Sequence, residues 1–147
     1  MRITAAALVL GSSLASMACA TYQDDLKRAE HAYDGSEDER ALAIFRILEP
    51  DLAQLSLPDR AHYAYLRGMT DFRIGYRSEA RHWLSLAAAL DQKTPGSLPP
   101  DWQKRMNDSL KDLNEAVFTG GIESLTNQPS QKRASDDAPP DENAPKK

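Results

Sequence analysis

Apolar residues recur at three- and four-residue spacing through most of this chain, the period of a helix with one buried face. No stretch carries the strict alternation of a half-buried strand. From Tyr22 to about Thr119 the pattern resolves into five helices. The first spans about 22–33, with Leu26, Ala29 and Tyr33 on one side, and ends near Gly35. Ser36-Glu37-Asp38-Glu39 reads as a capping box, which opens a second helix with Ala41, Ile44, Phe45 and Leu48 inward. Pro50 stops that helix, and Asp51 to Leu57 reads as a linker or short turn. Pro58 suits the first turn of a third helix that runs to Ile74 and stops at Gly75. Ser78 and Glu79 open a fourth, reaching about Gln92 with Leu84, Ala87, Ala88 and Leu90 on its stripe. Pro95, Gly96, Pro99 and Pro100 make 93–100 a loop. A fifth helix starts at Asp101, carries Trp102, Met106, Leu110, Leu113 and Val117 on one face, and closes at Gly120-Gly121.

The two ends follow other rules. Gln128 to Lys147 holds four prolines, many charges and no large apolar residue. Such a segment buries too little surface to offset its ordering entropy, so 127–147 is expected to be a disordered tail. At the other end, Met1-Arg2 is followed by an apolar and small-residue run from Ile3 to Ala18, broken at Gly11-Ser12-Ser13. This run is shorter than the ~20 residues that span a bilayer and has the shape of a signal peptide. Ala15-Ser16-Met17-Ala18-Cys19 resembles the bacterial lipobox, in which small residues precede a cysteine that is acylated and becomes the new N-terminus. Ser16 stands where that family usually has Leu. The resemblance implies a signal at 1–18, lipidation at Cys19 and a membrane-anchored protein of the cell envelope. Ala20, where Asp often marks inner-membrane retention, favours the outer membrane. Cleavage after Ala18-Cys19-Ala20 and plain secretion, or an uncleaved anchor, are the alternatives.

Composition narrows the function classes. Formal net charge is −4 and aromatics make up 7%, so no basic or aromatic–basic face invites nucleic acid. Cys19 is the only cysteine, which excludes an intramolecular disulfide and a cysteine metal cluster. A lone thiol in an oxidising compartment is a liability unless it is blocked, which agrees with acylation.

Gly68, Gly75, Ala80 and Ala87 follow one another at intervals of seven, five and seven. Together with Leu66 and Leu84 they resemble a tetratricopeptide (TPR) unit: a small residue where two helices approach, a glycine in the turn, small residues at the crossing. A weaker copy runs through Gly35, Ala41, Phe45 and Leu48, with one extra residue in the turn. Ala41 and Ala80 stand 39 residues apart against about 34 in that family, an excess the 50–58 linker can absorb. Arg67 and Asp71 replace residues usually apolar or aromatic and, four apart on a helix, could form an ion pair. The resemblance implies an all-α fold: a short TPR-like antiparallel helical hairpin array over 19–126, with two helix pairs and a C-terminal capping helix.

In that family the first helix of each pair lines a concave surface that holds partner peptides. Carried over, Tyr65, Met69, Phe72 and Arg73 would line the groove for a protein partner. The plain alternative is that His62, Tyr65, Met69 and Phe72 form a core stripe. The basic residues of a peptide-carboxylate clamp are not evident as a set. Trp83 and Trp102 are expected between the fourth and fifth helices, with an interface role as the alternative.

Catalytic material is sparse. His31, His62 and His82 belong to no metal or acid–base motif, and Glu79-x-x-His82 lacks the second such group that a di-iron bundle needs. No G-x-S-x-G elbow and no phosphate loop occurs. The expectation is a non-enzymatic protein with no cofactor, no metal and no small-molecule substrate. It would be an envelope adaptor or assembly factor, the alternative being a soluble periplasmic structural subunit without a groove.

Overall fold

The computed structural model describes residues 15–126, with side chains from Tyr22 onward. Residues 1–14 of the expected signal segment, the side chain of Cys19 and the tail 127–147 lie outside the described residues. Among the described residues all regular structure is helical: α1 (Ala15–Asp34), α2 (Asp38–Leu48), α3 (Leu57–Ile74), α4 (Arg77–Lys93) and α5 (Pro100–Gly120), with 3₁₀ segments Glu49–Gln54 and Ile122–Leu125. Helix α1 starts seven residues before the predicted Tyr22. The predicted linker instead continues α2 as a 3₁₀ segment with Pro50 in its first turn.

The α1–α2 turn is closed differently from the expected capping box. The Glu37 amide bonds to the Ala32 carbonyl at 2.9 Å and the Ser36 amide to the Tyr33 carbonyl at 3.0 Å, a Schellman closure of α1. Ser36 therefore sits at the left-handed position, at φ 57°, and its hydroxyl does not cap α2. Gly75 holds the same place after α3 at φ 99°, with the Tyr76 amide bonded to the Asp71 carbonyl at 2.8 Å. Ser36 and Gly75 are 39 positions apart, as are the first residues of α2 and α4, Asp38 and Arg77. The next bonds also match, Ala41 to Glu37 and Ala80 to Tyr76. The closing bonds and the starts of α2 and α4 are thus in register at 39 residues, while three residues separate α1 from α2 and two separate α3 from α4, the one extra residue expected in the first turn.

The same interval relates the packing. Ala41 and Ala80, and likewise Phe45 and Leu84, are fully buried after their turns. Ala29 and Gly68 are the small residues before them, and α1 packs on α2 as α3 packs on α4. A Cβ at Gly68 would lie 2.7 Å from Leu84 Cγ and 2.9 Å from the Leu84 backbone nitrogen, so glycine sets this helix spacing. An ion pair joins Asp38 to Arg73 at 3.2 Å, and Arg77 to Asp112 at 3.8 Å. The second pair is the first moved on by 39 residues with its charges exchanged. Each pair links the first residue of a helix, α2 or α4, to the helix that follows it. Each helix packs on its successor, and α3 also touches both α1 and α5.

Two aromatic placements differ from expectation. Trp83 is buried against α3, edge-on to Tyr63 at 5.5 Å and under the Arg67 guanidinium. Trp102 stacks on Tyr65 of α3 at 4.4 Å. Neither is primarily a link between α4 and α5, because the residues opposite them on α3 are large and aromatic.

Candidate functional site

Successive contacts of α1, α3 and α5 create one continuous face, and the stripe expected to bind a partner lies along its middle. His62, Tyr65, Met69 and Phe72 follow one another at helical spacing on α3, with Arg73 beside them. Their exposure differs sharply. Tyr65 is 0% exposed and Met69 8%, so both are covered rather than lining an open groove. The cover is α5: Trp102 stacks on Tyr65, and the Ser109 hydroxyl lies 3.7 Å from the Met69 sulfur. In this arrangement both residues are packed as the core-stripe alternative describes. Phe72 is half-buried against the core, and Arg73 is exposed.

Arg73 holds neighbouring elements together. Its guanidinium lies 3.8 Å from the centroid of the Tyr33 ring, donates to the Tyr33 carbonyl at 3.0 Å and pairs with Asp38. The Tyr33 carbonyl, which also accepts from the Ser36 amide, lies in the last turn of α1, so this cation sits where the helix dipole favours it. Tyr33 and Tyr65 are both buried, and neither hydroxyl has an aligned hydrogen bond. Burial pushes the Tyr65 phenol well above its ordinary range; Tyr33 adds to that shift and Arg105 opposes it.

The upper part of the face is more open. The His62 ring stands edge-on to Trp102 at 4.7 Å, and its Nε2 lies 3.3 Å from Glu30 Oε1 on α1. Beside it a cavity of about 240 Å³ is lined by Gln23, Leu26, Lys27, Glu30, Asp59 and His62. A second cavity, of about 290 Å³, is lined by Lys27, Arg28, His31, Ala32 and Arg40. Its two arginines are held by Asp25 at 2.6 Å and Glu37 at 2.7 Å.

Behind the face lies a buried charge cluster. Arg67 Nε bonds to Asp71 Oδ2 at 2.8 Å, the ion pair expected from their spacing, and Arg67 also reaches Glu49 at 3.3 Å. Asp71 is fully buried, and its Oδ1 has no hydrogen-bond partner. Burial pushes its carboxyl above the usual carboxylate range, against the pull of Arg67. This cluster ties α3 to the end of α2 and does not open onto the face.

Tyr33, Glu30 and Trp102 belong to the face although the sequence reading did not place them there. Tyr33 stands 39 residues before Phe72, and Glu30 the same distance before Met69. Projecting the α3 stripe back by one repeat interval selects both. Among the described residues no group of three or more His, Cys, Asp or Glu side chains could hold a metal ion. No described helix is long and apolar enough to cross a membrane. No protein-family model matches the chain, and neither does any curated protein or solved structure.

Proposed function

We propose that this chain is a lipid-anchored cell-envelope adaptor that binds a protein partner through the α1–α3–α5 face of a short TPR-like array. The observation that carries the reading is the 39-residue relation between the two turns and the two inter-helix ion pairs. It is the geometry expected of repeated helix hairpins with α5 as the closing helix. The outward side of α5 is charged and self-paired, Lys104 with Asp108 and Arg105 with Asp101, as an array cap requires. Anchoring rests on Cys19, the sole cysteine, at the end of the lipobox-like segment.

With Tyr65 and Met69 covered, recognition falls on the rim of the face: Phe72, Arg73, His62, Glu30 and the exposed part of Trp102. Metabolic labelling with a fatty acid tests the anchor, since wild type should carry label and Cys19→Ser should not. For the face, Phe72→Ser should reduce co-purification of the partner while the helical circular-dichroism signal is retained. Equal recovery of the partner with the variant sinks the assignment.

The burial of Tyr65 and Met69 favours a second reading, a structural subunit of a larger complex whose aromatic stripe is simply core. In that case Phe72→Ser lowers the melting temperature and leaves every association intact.

A further inference from the structure

We propose that His62 is a proton-operated clasp across the α1–α3–α5 face, tightening the face when protonated and loosening it when neutral. The consequence for partner access rests on the binding reading above; the clasp itself does not. His62 is positioned on α3 and touches both neighbouring helices, Glu30 on α1 and Trp102 on α5. Its Nε2 is enclosed and, despite Glu30 Oε1 at 3.3 Å, lacks the alignment of a hydrogen bond. A neutral imidazole, in either tautomer, brings no charge to meet this carboxylate. The imidazolium turns the contact into an ion pair. The same charge strengthens the contact with the indole of Trp102, whose ring system attracts cations.

Imidazole is the side chain whose unperturbed form changes charge between pH 5 and 8. The other charged groups around it are few. On α1, Lys27 shares the cavity and opposes the added proton, while Glu30 favours it. On α3, Asp59 lines the same cavity and accepts from the Ser56 hydroxyl at 2.7 Å. On α5, Asp101 and Arg105 flank Trp102 and pair with each other at 2.7 Å. At low pH the three helices are held together and the rim is closed; as pH rises, α1 and the start of α5 are released from α3.

Two readouts on the intact chain test this without a partner. Imidazolium quenches indole emission, so tryptophan fluorescence should fall as pH drops from 7.5 to 5.5 and should lose that dependence in His62→Gln. Because His82 also meets an indole, Trp83 at 5.1 Å, His82→Gln serves as the control for that second contribution. Amide exchange of residues 26–33, corrected for intrinsic rate, should slow about threefold over the same drop, the size expected of a partly exposed ion pair. That slowing should survive in His82→Gln and vanish in both His62→Gln and Glu30→Gln. If α1 exchange does not slow in the wild type, or slows equally in Glu30→Gln, the clasp is refuted. Should His62→Gln fail to fold, Glu30→Gln decides alone.

Discussion

Ser36 shows how a single backbone angle decides between two local readings. With φ at 57° it occupies a position that glycine fills in the equivalent turn at Gly75. Ser36→Gly should therefore stabilise the protein by about 0.5–1 kcal/mol, read as a raised urea midpoint. The sequence motif there fits a capping box and a Schellman stop equally well locally; packing of α2 on α1 selects the second. The Arg67–Asp71 pair was legible from its spacing, but its burial was not, because Trp83 and Glu49 approach from other elements. Arg67→Met leaves a buried carboxylate without its partner and should cost about 3–5 kcal/mol by chemical denaturation. The sign of the Asp71 effect with pH follows from its folded carboxyl titrating above its unfolded value. Its contribution is full below the unfolded value and is lost as pH rises through the folded one. Wild-type stability relative to Asp71→Asn should therefore increase between pH 7 and pH 4; a decrease would show that the ion pair outweighs desolvation. Tyr63 and Tyr65 behave alike at the other extreme, because burial raises both phenols above their ordinary range. Above about pH 10, where unfolded tyrosine ionises, the folded state loses stability, and tyrosinate absorbance from these two should appear together with unfolding.

At the scale of elements, close helix approach depends on Gly68. Alanine there would gain up to ~1 kcal/mol of helix propensity, yet its Cβ would meet the Leu84 backbone nitrogen, which cannot turn aside. Overpacking wins, and Gly68→Ala should lower stability by about 1–3 kcal/mol; an unchanged urea midpoint would mean that α4 can shift freely. The five helices were readable because each pairs a periodic stripe with a stop: Gly75 after α3, the proline-rich loop before α5. The 39-residue interval was legible from Ala41 and Ala80 but not from the turns, because Ser36 and not Gly35 takes the left-handed position that Gly75 holds. The role of α5 was legible only in part. Met106 and Leu113 are buried as its stripe suggests, while Phe118 at 90% and Ile122 at 76% stand exposed beyond the last repeat contact. Period alone does not say where the neighbouring helix ends.

Across the whole molecule, one core runs through all five helices, and α3 lies at its centre with ten buried residues. That centrality accounts for the burial of Tyr65 and Met69. A stripe on a helix with neighbours on both sides is covered, and sequence period cannot separate a covered face from a concave one. What remains accessible is the rim, where Arg73, next to Phe72 in the chain, meets Tyr33 and where His62 meets Glu30. Adaptor function on this face predicts contact there and not on the opposite side, where Ile47 of α2 is 72% exposed. The most direct test is photocrosslinking in intact envelopes, with a photoreactive phenylalanine at position 72 or 73 and, as the control, at position 47. The account predicts a discrete protein adduct from 72 or 73 that is lost with Cys19→Ser, and none from 47. Adducts only from 47, or the same adduct from all three positions, would contradict it.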